Sequence, residues 1–138
     1  MSRESRMKEL KVETSTQRLY WDSENEIVWC ELFGNQTTVE HAKENIDAQE
    51  RIRDSLKKKK TRVLIDMTSV TEISKEARDY FANERTGSIQ RATALLISSP
   101  VSRVIGNFFM GLNKPIYPTM LFTDPQKAIE WLQTFPND

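Results

Sequence analysis

Strands alternating with amphipathic helices over 138 residues predict an α/β sandwich in the order β-β-α-β-α-β-α-β-α. Its sheet should be mostly parallel and entered through an antiparallel N-terminal hairpin. Three observations carry this expectation. Two apolar runs flank a polar turn near the N-terminus, two later runs are short and β-branched enough to be covered on both faces, and helix-capping signatures fall between them.

The first fifteen residues are polar and weakly patterned, which predicts a loose arm or a short edge element over 1–15, ahead of one domain over 16–136. Gln17-Arg-Leu-Tyr-Trp21 and Glu26-Ile-Val-Trp-Cys-Glu-Leu-Phe33 are the hairpin strands, joined by Asp22-Ser-Glu-Asn25. Thr37-Thr-Val-Glu40 has the form of a capping box, with a hydroxyl at the cap and a carboxylate three residues on. In the helix that follows, Val39, Ala42, Ile46, Ile52 and Leu56 share a face. It should end at Lys57-Lys-Lys-Lys60, where cations complement the helix dipole.

Arg62-Val-Leu-Ile-Asp66 and Ala92-Thr-Ala-Leu-Leu-Ile97 read as buried strands. Ser74 caps a second helix through Glu76, Ala77, Tyr80 and Phe81. Ser99-Pro100 opens a third helix through Val101, Val104, Ile105, Phe108 and Phe109 toward Gly111. Thr119 to Phe122 is the last strand. Thr123-Asp-Pro-Gln126 caps a closing helix whose apolar side is Ala128, Ile129, Trp131 and Leu132.

Composition excludes several classes. Twenty Lys plus Arg balance twenty Asp plus Glu, unlike the basic excess of a nucleic-acid binder. No apolar run approaches the roughly 18 residues of a membrane span. The charged start, Met1 to Met7, lacks the apolar stretch of a secretory signal, and a single cysteine suits a reducing compartment, so a cytoplasmic location is expected.

Motifs for chemistry are few. The one histidine, His41, has no nucleophile or acid partner in any motif and reads as a surface residue. With one His and one Cys, the usual zinc site cannot be assembled, and no metal or cofactor is expected. Cys30, within a strand, reads as a small buried hydrophobe. Gly106 and Gly111 have P-loop spacing, but Leu112-Asn113 stands where Lys and Ser or Thr belong. Ser74 and Lys75 are neighbours on a helix and point about 100° apart, so they form no dyad. Asp66 and Glu72, at the end of a strand and just beyond it, are the remaining acids where α/β sheets place ligands. The Lys57–Lys60 run with Arg62 reads as a solvated helix end.

The segment from Ser99 to Lys114 holds more apolar side chains than one buried stripe needs. Two alternatives stay open. The helix is wedged into the core, or Phe108, Phe109 and Met110, with Arg103, Asn107 and Lys114 around them, present a patch to a partner, a second subunit or a lipid.

Val63-Leu-Ile-Asp-Met-Thr-Ser-Val-Thr71 followed by Ser74 resembles the strand–loop–helix of STAS domains, which include sporulation anti-sigma-factor antagonists. Ser74 to Ala82, Ala94 to Pro115, and Leu121-Phe-Thr-Asp124 with Ala128 and Trp131 are more specifically similar to small uncharacterised bacterial SpoIIAA-like proteins. The resemblance covers the chain from about Thr37 onward. It implies a SpoIIAA-like fold and a regulatory or protein-interaction module, self-associating or docked on a partner protein, in place of a catalyst. It also implies, as the alternative, a small-molecule or lipid carrier with an apolar pocket under the third helix. STAS antagonists carry a phosphorylatable serine in an Asp-Ser-Ser-Gly-like motif, and here that motif falls on Ser74, Lys75, Glu76 and Ala77. Glu76 replaces the phospho-acceptor, so no working switch is expected at this loop.

Overall fold

The computed structural model describes residues 10–98 and 115–137. The expected helix over Val101 to Gly111 and the patch residues Arg103, Asn107, Phe108, Phe109, Met110 and Lys114 lie outside the described residues.

Six strands form the main sheet: β1 (Lys11–Glu13), β2 (Gln17–Asp22), β3 (Ile27–Leu32), β5 (Thr61–Asp66), β7 (Gln90–Leu96) and β8 (Thr119–Phe122), in the order β1-β2-β3-β5-β7-β8. The β1–β2 and β2–β3 pairs are antiparallel, and β3–β5, β5–β7 and β7–β8 are parallel. The fold is therefore the expected mostly parallel α/β sheet with an antiparallel N-terminal hairpin. Of the two alternatives at the N-terminus, Lys11–Glu13 takes the edge element, so the sheet starts ahead of residue 16.

Helix α1 (Val39–Leu56) is an unbroken run of 18 residues. Its cap differs from the expected one. Thr38, not Thr37, accepts from the His41 amide, and His41 Nδ1 accepts in return from the Thr38 amide at 3.2 Å. Thr37 is taken by a second, two-stranded parallel sheet of β4 (Gln36–Thr37) with β6 (Glu72–Ile73), which shifts the cap by one residue. The helix ends as expected at Lys57, whose φ of 56° is left-handed.

Ser74 caps α2 (Lys75–Phe81) through its hydroxyl, which accepts from the Ala77 amide at 3.1 Å. A further helix, α3 (Glu84–Ile89), follows at once because Asn83 is itself a cap, its side chain accepting from the Thr86 amide. Helix α4 (Pro125–Leu132) is capped by Asp124 in place of Thr123, with Pro125 in the first turn.

Alternation along the strands sorts the core into two layers. On one face, Leu19, Val28, Cys30, Leu32, Val63, Ile65 and Leu95 meet α1, α2 and α3 through Ala42, Ile46, Ile52, Ala77, Phe81 and Ile89. On the other, Ile27, Leu64, Ala92, Ala94 and Leu96 meet α4 through Ala128, Ile129 and Leu132.

Arg62 does not join the lysine run in solvent. It is 6 % exposed and donates to the carbonyls of Asn25, Glu26 and Phe135 at 3.1–3.3 Å. Glu26 has a left-handed φ of 58°, so the guanidinium holds the strained end of the hairpin turn against the C-terminal segment. Burial pulls the Arg62 pKa down, against a smaller opposing effect of the Glu26 carboxylate.

Candidate functional site

Two linked features stand out on the face of the sheet that meets α1, α2 and α3. The first is an apolar hollow of about 20 Å3 lined by Leu32, Ile65, Met67, Phe81, Leu95 and Tyr117, with Ile73, Thr93 and Thr119 completing its wall. It lies toward the carboxyl ends of the parallel strands, where α/β sheets place ligands. Tyr117 closes it by donating its hydroxyl to the Phe81 carbonyl at 2.6 Å, satisfying an end group of α2. Burial raises the Tyr117 pKa, so this phenol stays protonated and a donor.

The second feature is a chain of buried amides running away from that hollow. Thr93, in the wall, donates to Gln90 Oε1. Gln90 Nε2 donates to Gln49 Oε1 at 2.9 Å, Gln49 Nε2 to Asn45 Oδ1 at 2.7 Å, and Asn45 Nδ2 to Gln17 Oε1 at 3.0 Å. Gln17 Nε2 ends the chain on the His41 carbonyl at 3.0 Å. All five side chains are buried. Each amide accepts from the group before it and donates to the next, so every member of this buried polar line has a donor and an acceptor in use.

Cys30 lies against this line, with Gln49 Nε2 3.8 Å from its sulfur. Burial pushes its thiol up to about 12, against the smaller opposing effect of Asn45 and Gln49. It is a packed thiol, as its place in a strand predicts, and not a nucleophile.

Ser74, Lys75 and Glu76 lie in the chain between Ile73 and Phe81, which line the hollow, but are not themselves in its wall. Their groups serve the helix. Ser74 caps α2, Lys75 pairs with Asp79 one turn on at 3.2 Å, and Glu76 is exposed in the first turn. Asp66 accepts from the amide and hydroxyl of Thr68, forming a local turn, and Glu72 accepts from Gln36 across the small sheet. Among the described residues each acid serves its own local contact, and no hydrogen bond joins the two. Among the described residues no group of three or more His, Cys, Asp or Glu side chains is placed to hold a metal, and no helix is long and apolar enough to cross a membrane.

Sequence reasoning singled out the Ser74 loop and missed the amide chain and Tyr117. A signal was present for part of it: Asn45 and Gln49, four residues apart, interrupt the apolar stripe of α1 on its buried side.

The comparisons agree with the fold. A solved structure of an uncharacterised protein of the DUF3478 family from Shewanella loihica PV-4, described as having a SpoIIAA-like fold, matches with a TM-score of 0.58. The match covers 88 % of this chain and 98 % of that one at 15 % identity, so it bears on architecture alone. No curated protein matches the chain. A family model described as Domain of unknown function (DUF7793) matches residues 20–136. With nearly all of the described sheet and helices inside that span, the chain belongs to the DUF7793 family.

Proposed function

We propose that this chain is a non-enzymatic STAS-like regulatory or protein-interaction module of the cytoplasm, working by self-association or by docking on a partner protein. The observation that carries the reading is the employment of its reactive groups. Ser74, His41, Asp66 and Glu72 are each bound into a cap, turn or strand pairing, and Cys30 is packed in the core. The likeness of fold to a SpoIIAA-like protein supports a STAS-type architecture for such a module. Sedimentation equilibrium of the whole chain over a wide concentration range tests self-association. A rise in mass with concentration is expected; a constant monomer mass removes that part of the reading. Phe109→Glu with Met110→Glu tests the sequence-defined patch in the same assay, with loss of assembly expected if that patch is the contact.

A second reading, a carrier of a small molecule or lipid, is favoured by the apolar wall of the hollow. At about 20 Å3 it falls far below the roughly 300 Å3 of a typical ligand pocket, so binding would require it to open. Native mass spectrometry of protein taken from cells is the test: an adduct of constant mass supports the carrier, and bare protein alone counts against it.

A further inference from the structure

We infer that two copies of this chain join their sheets edge to edge through β1, antiparallel and centred on Val12. This rests on the self-association reading and adds the surface and its register.

The inference starts from which side of β1 is already used. Leu10 accepts from the Trp21 amide at 3.0 Å, and the Thr14 amide donates to Gln17 at 2.8 Å. Between them Val12 stands opposite Leu19. In an antiparallel ladder, alternate residues turn their N–H and C=O to the same neighbour. The even residues 10, 12 and 14 therefore face β2, and the N–H and C=O groups of Lys11 and Glu13 face outward. β1 is the end of the sheet, with no neighbouring strand beyond it among the described residues.

Now place a second β1 antiparallel to the first, with Val12 opposite Val12. Lys11 then stands opposite Glu13, and Glu13 opposite Lys11. These are the residues whose backbone groups point outward, so each Lys–Glu pair can exchange both of its hydrogen bonds. Lys11 and Glu13 already pair along the strand, Nζ to Oε2 at 3.4 Å, on the exposed face of the sheet; the same register also sets each beside the opposite charge of the other copy, so the four charges alternate in sign. Val12, which packs against the core on the other face, meets its own copy there. A shift of one residue loses both features: outward groups would meet ones already used, and charges would no longer be opposite. The other edge, β8, reads Thr-Met-Leu-Phe and has no charge with which to set a register.

The test uses the full chain and two variants, Lys11→Glu and Glu13→Lys. Both positions are exposed, so the fold should be unaffected. Each variant alone sets like charges opposite at both ends, and its dimer should dissociate at least about tenfold more readily than the parent. Mixed in equal amounts, the two should form a heterodimer of near-parental affinity, because every pair is again of opposite sign. Variants that self-associate like the parent overturn the β1 contact and leave association through another surface standing. A parent that stays monomeric overturns both. A mixture that does not recover overturns the register.

Discussion

Gln90 Nε2 donates to Gln49 Oε1 at 2.9 Å, joining the start of β7 to the middle of α1 inside a mostly apolar layer. Gln49 is the hinge of the whole polar line, because it receives from Gln90 and donates to Asn45. Gln49→Leu has a similar volume but leaves Gln90 without an acceptor and Asn45 without a donor. The expected loss is about 1–3 kcal/mol for each group stranded, read from urea denaturation. In Gln49→Leu with Gln90→Leu the second change should cost less than it does alone, since its partner is already gone. Simple additivity of the two would show that the amides do not act as a line.

Arg62 gives a second expectation. Arg62→Lys keeps the charge but replaces a planar fork by a point donor, which cannot serve the carbonyls of Asn25, Glu26 and Phe135 together. Amide exchange should quicken around residues 133–137 and in the hairpin turn, and much less in α1. Uniform change across the chain would mean that the clamp is not local.

Asp22 sets a pH dependence. Burial raises its pKa, but hydrogen bonds from Asn25, Trp29 and Glu24 outweigh this and hold it below the usual carboxylate range. A carboxyl depressed on folding adds stability that is full above its unfolded pKa of about 4 and is lost as pH falls through the lower folded value. Asp22→Asn should therefore cost stability at neutral pH and flatten the decline below about pH 4. Parallel curves for parent and variant would remove Asp22 as the cause.

Ser74 separates capping from switching. Ser74→Ala should cost about 1 kcal/mol by loss of the bond to the Ala77 amide, and Ser74→Asp should keep most of it, since either oxygen caps a helix. Thermal unfolding reads both. A stabilised Ser74→Ala would exclude the capping role.

The strands and long helices were legible because each is an apolar run or an amphipathic period bounded by turn or cap residues. Gln17–Asp22, Thr61–Asp66 and Thr119–Phe122 fall within a residue of their expected bounds, as apolar runs cut by turn formers allow. Short elements were not. Thr37 and Thr38 are chemically equivalent caps, and only the pairing of Thr37 with Ile73, far off in sequence, decides between them. Helix α3 is under two turns long and is capped by Asn83, a residue that also suits a loop. The amide chain was hidden for a related reason. Its members come from β2, α1 and β7, and polarity at scattered positions says nothing of mutual distance until the sheet order is known. The Ser74 loop was visible because it is local, and its cap is where the sequence placed it.

The pairing of β5 with β7 slips by one between Thr61–Gln90 and Arg62–Ala92, leaving Arg91 as a supernumerary residue. Plain alternation through Gln90-Arg-Ala-Thr93 would put the arginine on the Thr93 face and turn the glutamine to the opposite face, the one that meets α4. The kink reverses that, and it makes this spot forgiving of a one-residue deletion: a chain missing Arg91 would run straight and still send Gln90 and Thr93 to the same side. Losing one residue here would keep the facing that losing one elsewhere along the strand would invert.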